Sequence, residues 1–321
     1  MEILSHYSLG DLKTFTEHKR HPMFPKAYIV TTSKGKFFIK SFYEPPQQYF
    51  QLHGLDFSIF LEEKGIPSAT IFKTKENKSW CWHKFKPYAV LEYIDYKENP
   101  DKILSLKESF EIGKILAKIH ICSQGFEFFK ASYIYPNLYK SYMKGKEELI
   151  LMNFPKKYQK ALDWVDQNYY RMKVPLNLPK AICHEELGSQ HCWFKNQSVY
   201  KIIDWDIGYN YMFYDLGTTL YFTCLHPKTK KISIPKMARV VYGYNLVRPL
   251  TQWEEDHIYE CYLIGTLKYF SWILDNVGVW GYEKVFGPII ALQTLSSEEF
   301  NKKFYKEYSK LEQCKNPKTA K

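Results

Sequence analysis

The amino-acid sequence predicts an α+β protein in which a β-rich N-terminal part precedes a larger and mainly helical part. Runs of β-branched and aromatic residues, which are typical of strands, dominate the first 95 residues. From Ser105 onward, apolar residues recur at the spacing of one helix face. A chain of 321 residues can form one large two-lobed domain or two modest ones.

The N-terminal part is predicted to form a five-stranded antiparallel sheet with one helix. Residues 27–32 and 36–40 are predicted strands, and residues 32–35 between them (Thr-Ser-Lys-Gly) are typical of a hairpin turn. Residues 47–64 have helical length and are followed by a glycine, which indicates a stop. Residues 89–94 predict one more strand.

The C-terminal part opens with a predicted amphipathic helix. The isoleucines and the leucine of residues 112–119 fall on one helix face, which ends at His120. Residues 140–152 and 156–171 predict two further helices, with Pro155 at the break between them.

A polar loop is predicted between two short strands that pair with each other, at residues 181–183 and 199–203. Residues 215–311 are predicted to be mainly helical. Within them, Thr251 and Glu254 have the spacing of a capping box, in which each side chain binds an amide at the helix start. The predicted organisation is an N-lobe over residues 1–94, a C-lobe over 95–312 and a disordered, lysine-rich tail over 313–321.

Composition narrows the classes of partner. Aromatic residues make up 18% of the chain, which argues against disorder. The net charge of +11 favours an anionic partner such as nucleotide phosphates. The lysines are spread along the chain instead of forming a tail or patch, so nucleic-acid binding is not expected. The oligomeric state is not predicted.

The seven cysteines form no CxxC pair, which favours a reduced cytoplasmic compartment. The N-terminus lacks a basic segment followed by an apolar core, so no signal peptide is predicted. No apolar run approaches the length of about 20 residues that a bilayer-spanning helix needs. Membrane insertion is therefore not expected.

The most informative stretch is residues 184–191 (His-Glu-Glu-Leu-Gly-Ser-Gln-His), followed by residues 203–206 (Ile-Asp-Trp-Asp). Phosphoryl transfer needs one carboxylate near the attacking hydroxyl and ligands for the magnesium on the nucleotide phosphates. Glu186 and Asp204 are 18 positions apart and suit these two tasks. Asp204 directly follows a buried-looking strand, where a carboxylate is costly unless it is paired or binds a cation.

These motifs resemble those of the aminoglycoside phosphotransferase and choline kinase-like group, which typically shows His-Gly-Asp-Leu-His-x-x-Asn, then Ile-Asp-Trp-Asp, then Tyr-Asp-Leu. This chain shows the last motif at residues 214–216, and its residues 112–120 resemble the group's Leu-Gly-x-x-Leu-Ala-x-Leu-His helix. The resemblance covers roughly residues 7–310 and includes the kinase-like branch found in bacterial spore coats. It implies a protein-kinase-like, two-lobed fold.

The resemblance implies nucleotide-binding roles in the N-lobe. Lys40 matches the strand lysine that contacts the α and β phosphates of ATP, where a fixed ammonium offsets their charge. Glu92, Tyr93 and Ile94 match the segment between the lobes, whose backbone would bind adenine.

The resemblance also implies catalytic and metal-binding roles. Glu186 and His184 match the catalytic positions, Asp204 and His191 match the metal ligands, and two aspartates match positions of structural support. Those two aspartates are Asp206 and Asp215. The implied cofactors are ATP and Mg²⁺, or Mn²⁺ because an imidazole such as that of His191 suits manganese better than magnesium.

Several positions depart from the group's pattern. Glu186 stands where the group has Asp, and the extra methylene moves the carboxylate by about 1.5 Å. His191 stands where the group has Asn. The acid that pairs with the strand lysine should lie near Gly54, where only His53 and Asp56 offer polar groups.

Competing motifs fit less well. Position 188 is Gly, so His-Glu-x-x-His of the zinc proteases is absent, and neither a P-loop nor a Gly-x-Ser-x-Gly elbow occurs. A zinc site made of Cys183, His184, His191 and Cys192 is disfavoured because adjacent residues of a strand point apart. The predicted function is ATP-dependent phosphorylation of a small-molecule hydroxyl. The alternative is a weakly active or inactive kinase-fold protein with a structural role, such as a spore-coat component.

Overall fold

The computed structural model describes residues 2–19, 21, 23–45, 47–95, 102–127, 138–152, 154–274 and 277–315. The chain forms two compact units. Unit 1 comprises residues 1–100, 125–128 and 200–207, and unit 2 comprises the remainder. Residues 200–207 belong to unit 1 by their contacts, although they fall within the C-lobe predicted over residues 95–312.

Unit 1 is built on an antiparallel sheet of six strands, one more than the five predicted. The strands are β1 (Leu12–Glu17), β2 (Ala27–Thr32), β3 (Gly35–Ser41), β4 (Ile71–Phe72), β5 (Cys81–His83) and β6 (Lys86–Glu92). Their order is β1-β2-β3-β6-β4, and β5 also pairs with β6. The predicted hairpin between β2 and β3 is confirmed, with Thr32 opposite Gly35.

Two helices cover the sheet of unit 1, namely α1 (Glu2–Ser5) and α2 (Gln47–Glu63). One cluster joins Ile3 of α1 to Val30 and Ile39 of the sheet. Because side chains alternate along a strand, β6 contributes Val90 to this cluster and Ala89 to a second cluster with Leu55 of α2. The predicted stop of α2 is confirmed by the positive φ of Gly65, +77°, a conformation that favours glycine.

Residues 200–207 are held in unit 1 by backbone and side-chain contacts. The Ala69 amide donates to the Ile202 carbonyl at 2.8 Å. Gly54 of α2 lies against the Trp205 carbonyl oxygen, and a Cβ at position 54 would be only 1.7 Å from that oxygen. The position near which sequence comparison expected an acid therefore has no room for a side chain.

Unit 2 is mainly helical, with four short strands around the motif loop. The helices are α3 (Leu106–Cys122), α4 (Leu138–Leu151), α5 (Gln159–Asn168), α6 (Met212–Cys224), α7 (Ile234–Asn245), α8 (Gln252–Asp256), α9 (Ile258–Leu274), α10 (Val277–Trp280), α11 (Tyr282–Gln293) and α12 (Ser297–Lys315). The strands are β7 (Lys180–Cys183), β8 (Cys192–Lys195), β10 (Gly208–Tyr211) and β9 (Ser198–Ile202), of which residues 200–202 belong to unit 1.

The predicted pairing of the two strands around the motif is wrong. β7 pairs with β10, with Cys183 opposite Gly208, and β9 pairs with β8. Asn196 and Gln197 have positive φ values of 51° and 62°, so a tight turn folds β9 back onto β8. The hydrogen-bonding partner of β7 is therefore β10, which begins directly after residue 207.

Close helix crossings and caps fix the core of unit 2. Gly265 of α9 lies against Gly217 of α6, where a Cβ at position 265 would be 2.0 Å from the Gly217 carbonyl oxygen. The predicted amphipathic helix is α3, and its apolar face is buried. The predicted capping box at Thr251 and Glu254 is confirmed at the start of α8.

The C-terminal helix is longer than predicted. α12 continues to Lys315, so residues 313–315 are helical instead of disordered, and residues 316–321 lie outside the described part of the chain. Within the described residues, no helix combines the length and the apolar character that crossing a membrane requires.

The contact between Gly54 and Trp205 can be tested by a Gly54→Ala substitution. Helix propensity alone would favour alanine in α2 by about 1 kcal/mol. The clash with the Trp205 backbone opposes it, and overpacking of this kind costs about 1–3 kcal/mol. We therefore expect Gly54→Ala to lower the free energy of unfolding, measured by urea denaturation.

The matched control is Gly125→Ala in the same unit. A Cβ at position 125 would meet only the Phe60 ring, at an ordinary distance of 3.7 Å. Its effect should stay within about 0.5 kcal/mol. A Gly54→Ala protein as stable as this control would contradict the packing of residues 200–207 on α2.

Candidate active site

The charged centre of unit 1 joins Lys40 of β3 to the aspartates of residues 203–206. The Lys40 ammonium donates a hydrogen bond to Asp204 Oδ1 and lies 3.9 Å from Asp206 Oδ1. The Lys40 side chain is only 13% exposed, and that of Asp204 is 33% exposed. Asp204 has a φ of +62°, a left-handed conformation that Asp tolerates better than most residues. Sequence comparison identified these two positions, and the structure brings them together.

The α2 residue that points at this centre is Gln51, which sequence analysis missed. Its amide Nε2 donates to both oxygens of Asp206, at 2.9 and 3.1 Å, and its Oε1 accepts from the Tyr43 amide at 3.0 Å. Gln51 is buried and lies one helical turn before Gly54. A buried polar residue on the apolar face of a helix is the signal that could have identified it.

The two polar residues near Gly54 on α2 have other contacts. Asp56 accepts a hydrogen bond from Ser79 at 2.7 Å. His53 packs edge-on against the Tyr49 ring, with centroids 4.2 Å apart. Lys40 is instead paired with Asp204, so an acid from α2 is not needed to neutralise its charge.

The carboxylates of this centre suit a hard divalent cation. Mg²⁺ prefers oxygen ligands and is usually bound by one or two carboxylates together with substrate phosphates. Asp204 and Asp206 offer such oxygens on side chains that are 33% and 46% exposed, so an ion can reach them. Their contacts with Lys40 and Gln51 fix both carboxylates in place.

The residues at the end of β6 differ in their contacts with the sheet. The Glu92 amide donates to the Thr70 carbonyl at 2.9 Å, and the Glu92 carboxylate accepts from the Thr70 amide and pairs with Lys201 at 2.7 Å. The Lys36 ammonium lies over the Tyr93 ring, 3.7 Å from the centroid of the ring. The Glu92 amide is therefore engaged in the sheet, and Tyr93 and Ile94 follow where the strand has ended.

In unit 2, Asp215 of α6 holds the backbone of the motif loop. Its carboxylate accepts from the amides of His184 and Glu185, each at 2.9 Å. It also accepts from His120 Nε2 at 3.0 Å, and His120 Nδ1 accepts from the Tyr244 hydroxyl at 2.7 Å. All of these groups are buried, where a satisfied network is rigid and an unsatisfied one is costly.

His120, Cys183 and Asp215 place one ligand atom each within 4.8 Å of one another, yet they do not fit a metal site. Asp215 and His120 already use these atoms in hydrogen bonds. Burial raises the pKa of the Cys183 thiol well above its usual range, and only a thiolate binds metal well. Among the described residues, neither His184, His191 nor Cys192 joins this group, which disfavours the four-residue zinc site further.

Glu185 carries a second feature that sequence analysis missed. Its φ is +73°, and it stands where the similar motif has Gly. Its side chain is buried and forms an ion pair with the buried Lys268 of α9, while Asn210 Nδ2 donates to it at 3.3 Å. Burial lowers the pKa of Lys268 to about 7, and the charge of the nearby Cys183 opposes that shift. A lysine in the middle of an apolar helix was the signal for this pair.

Glu186 and His191 form the accessible side of the motif loop. His191 Nδ1 donates to the Glu186 carbonyl at 2.8 Å, which fixes the loop backbone. The half-buried Glu186 lines a small cavity together with Lys268 and Tyr269. The pKa of the Tyr269 hydroxyl is raised, mainly by burial and further by the Glu186 carboxylate. The His184 ring is fully buried and lies 5.7 Å from the His191 ring, so its position does not suit contact with a substrate.

Comparisons with known proteins support the fold. The chain is 22% identical over 262 residues to a homoserine kinase of Rhodopseudomonas palustris (strain BisB18), covering 79% of this chain and 77% of that protein. A search of protein-family profiles finds no match.

Among solved structures, a microcompartment-associated aminopropanol kinase is similar with a TM-score of 0.66 and 15% identity, over 94% of this chain and 96% of that one. An aminoglycoside phosphotransferase from Alicyclobacillus acidocaldarius has a TM-score of 0.64 and 13% identity, over 97% and 96%. The chain has the protein-kinase-like fold. The resemblance found in the sequence is thereby confirmed at the level of the fold.

The Glu185–Lys268 pair of this kinase-like chain can be tested by stability. Lys268→Met leaves the Glu185 carboxylate buried without its ammonium, and breaking a buried pair in this way costs about 3–5 kcal/mol. We expect the free energy of unfolding of the variant, measured by denaturant titration, to fall by this amount. The double variant Glu185→Gly, Lys268→Met also removes the carboxylate and places glycine at a positive φ.

The double variant should therefore recover most of the lost stability. If it unfolds as easily as Lys268→Met alone, the ion pair is not what Lys268 contributes. The exposed Lys302→Met serves as a control for loss of a positive charge in the same unit and should change stability by no more than about 0.5 kcal/mol.

Proposed function

We propose that the protein is an ATP-dependent phosphotransferase that phosphorylates a hydroxyl group of a small molecule. The observation that carries the proposal is the pairing of Lys40 with Asp204, beside Asp206, in unit 1. A half-buried lysine next to accessible carboxylates combines a phosphate-binding cation with oxygen ligands for magnesium. The similarity to proteins named as small-molecule kinases supports the same activity.

In this proposal, unit 1 binds the nucleotide. The Lys40 ammonium contacts the phosphates, and Asp204 and Asp206 hold Mg²⁺, which when bound neutralises charge on the phosphates. The backbone groups of Tyr93 and Ile94 bind adenine, since the Glu92 amide already donates to Thr70. Gln51 keeps the Asp206 carboxylate oriented through two hydrogen bonds.

In this proposal, the residues that act on the hydroxyl group of the substrate lie in unit 2. The Glu186 carboxylate accepts the proton of the attacking hydroxyl, which makes the oxygen a better nucleophile. Asp215 and the Glu185–Lys268 pair hold the loop that carries Glu186. We assign His184 a positioning role because its ring is fully buried.

His191 is proposed as a metal ligand. Its Nδ1–H bond to the Glu186 carbonyl selects the tautomer in which Nε2 carries the lone pair, and this is the form of an imidazole that binds metals. Such a ligand would favour Mn²⁺ over Mg²⁺.

The role of Glu186 is tested by two substitutions with opposite expectations. Glu186→Gln keeps the size of the side chain but cannot accept the proton, so kcat should fall at least about tenfold, since general-base help is worth roughly 10²–10⁴. Glu186→Asp should keep or raise kcat because it restores the residue of the similar motif. The measurement is ADP release in a coupled assay over a panel of small alcohols, amino alcohols and hydroxy acids.

Glu298→Gln, on an exposed residue of α12, is the matched control and should not change kcat. An active wild type that is indifferent to Glu186→Gln would contradict the role of Glu186. A wild type without turnover, together with an active Glu186→Asp, His191→Asn double variant, would overturn the proposed enzymatic function and favour the structural alternative.

A further inference from the structure

Unit 2 contains a cavity of about 480 Å³ whose lining is strongly basic. Among the residues that the structure describes, five lysines line it, against one acid, Glu283. They come from four separate parts of unit 2, namely the segment before α3, the turn after α6, and helices α7 and α11. The five are Lys102, Lys228, Lys230, Lys236 and Lys284.

The single acid of the lining is already neutralised from outside the cavity. Glu283 pairs with the Lys157 ammonium at 2.9 Å and accepts a hydrogen bond from the Tyr158 hydroxyl at 2.5 Å. Neither Lys157 nor Tyr158 lines the cavity. Lys102 is itself paired with the buried Glu108 carboxylate, so a ligand inside meets mainly the other four ammonium groups.

Two of the lysines have contacts that position their ammonium groups. Lys284 lies over the Trp280 ring, 3.9 Å from its centroid, and Lys230 donates to the Pro227 carbonyl. Lys236 is half-buried, and this burial lowers its pKa by disfavouring the charged form. A bound anion would offset that cost, whereas a bound cation would add to it.

The cavity adjoins the residue proposed to act as the base. Phe222 and Tyr269 line both this cavity and the small cavity at Glu186. Ser189 and Gln190 of the motif loop also line it, three and four residues after Glu186. The basic cavity and the Glu186 cavity are therefore neighbours that share Phe222 and Tyr269.

We propose that this cavity binds the acceptor substrate of the proposed phosphotransferase, and that the substrate is an anionic small alcohol, bearing a carboxylate or a phosphate. The lysines bind the anionic group and leave the hydroxyl to extend towards Glu186. The same lysines disfavour polycationic aminosugars, because bringing a cation among ammonium groups is repulsive in a partly desolvated site. The inference rests on the proposed function for its reaction and on the cavity for its specificity.

The test compares three acceptors of similar size that differ in charge. They are 3-hydroxypropanoate, 1,3-propanediol and 3-amino-1-propanol, with glycerol 3-phosphate added as the phosphate-bearing counterpart. We expect kcat/KM for at least one of the two anions to exceed that for the amine at least tenfold. A ratio in favour of the carboxylate or of the phosphate shows which anion the cavity selects.

Variants of the lining lysines test whether the preference for anions depends on the cavity. Lys230→Gln with Lys236→Gln should reduce the anion-to-amine ratio of kcat/KM at least tenfold. Lys228→Glu, on an exposed side chain of the lining, should reduce it in the same direction. Lys302→Gln, on an exposed residue outside the cavity, should leave the ratio unchanged.

Direct binding separates failure of the inference from failure of the proposed function. Calorimetric titration with the same acceptors and with inorganic phosphate measures the cavity without requiring turnover. Anion binding that is weakened by the lysine variants, without phosphorylation, would uphold the anion site and overturn the kinase activity. Turnover that prefers the amine or the diol would uphold the kinase and overturn the inference. Absence of both anion binding and anion turnover would likewise overturn the inference.

Discussion

The ion pair between Lys40 and Asp204 is the interaction on which the functional account depends. Exposed pairs contribute about 0–1 kcal/mol to stability, so a partly exposed pair of this kind is a weak reason for the fold itself. The pair matters for the proposed function because of where it lies. It keeps a cation and two carboxylates together on one side of unit 1, and the proposed binding of ATP with Mg²⁺ exchanges these partners for phosphate and metal without leaving a charge unmatched.

The backbone that carries Asp204 is held by steric fit as much as by charge. Gly54 allows the Trp205 carbonyl to approach α2, and the Ile202 carbonyl accepts from Ala69. Gln51 then reaches Asp206 from the same helix. An acid in the place of Gly54 would clash with this backbone, and the strand lysine is paired with Asp204 instead.

In the motif loop of unit 2, contacts of Glu185 offset the cost of its backbone conformation. A non-glycine residue at positive φ costs of order 1–3 kcal/mol, and Glu185 occupies such a conformation where the similar motif has Gly. Its carboxylate is paired with the buried Lys268, and its amide is bound by Asp215. The loop that carries Glu186 is thereby anchored to both α6 and α9.

Local signals in the sequence were sufficient for several elements, and for part of the candidate site. The hairpin before Gly35, the stop of α2 and the capping box at Thr251 each depend on neighbouring residues, and all three are confirmed. The motif spacing also identified Lys40 and Asp204, which are in contact. The partner of β7, the contact of Gln51 with Asp206 and the Glu185–Lys268 pair depend on residues that are far apart in the sequence. No periodicity or turn pattern encodes such contacts.

The most direct test of the central claim is calorimetric titration of the protein with ATP, with and without Mg²⁺. The account predicts metal-dependent binding that Lys40→Met weakens at least about tenfold and whose metal dependence Asp204→Asn removes. Lys86→Met, on an exposed residue of β6 in the same sheet, should bind as the wild type does. ATP binding that is absent, independent of metal, or unchanged in both site variants would contradict the account.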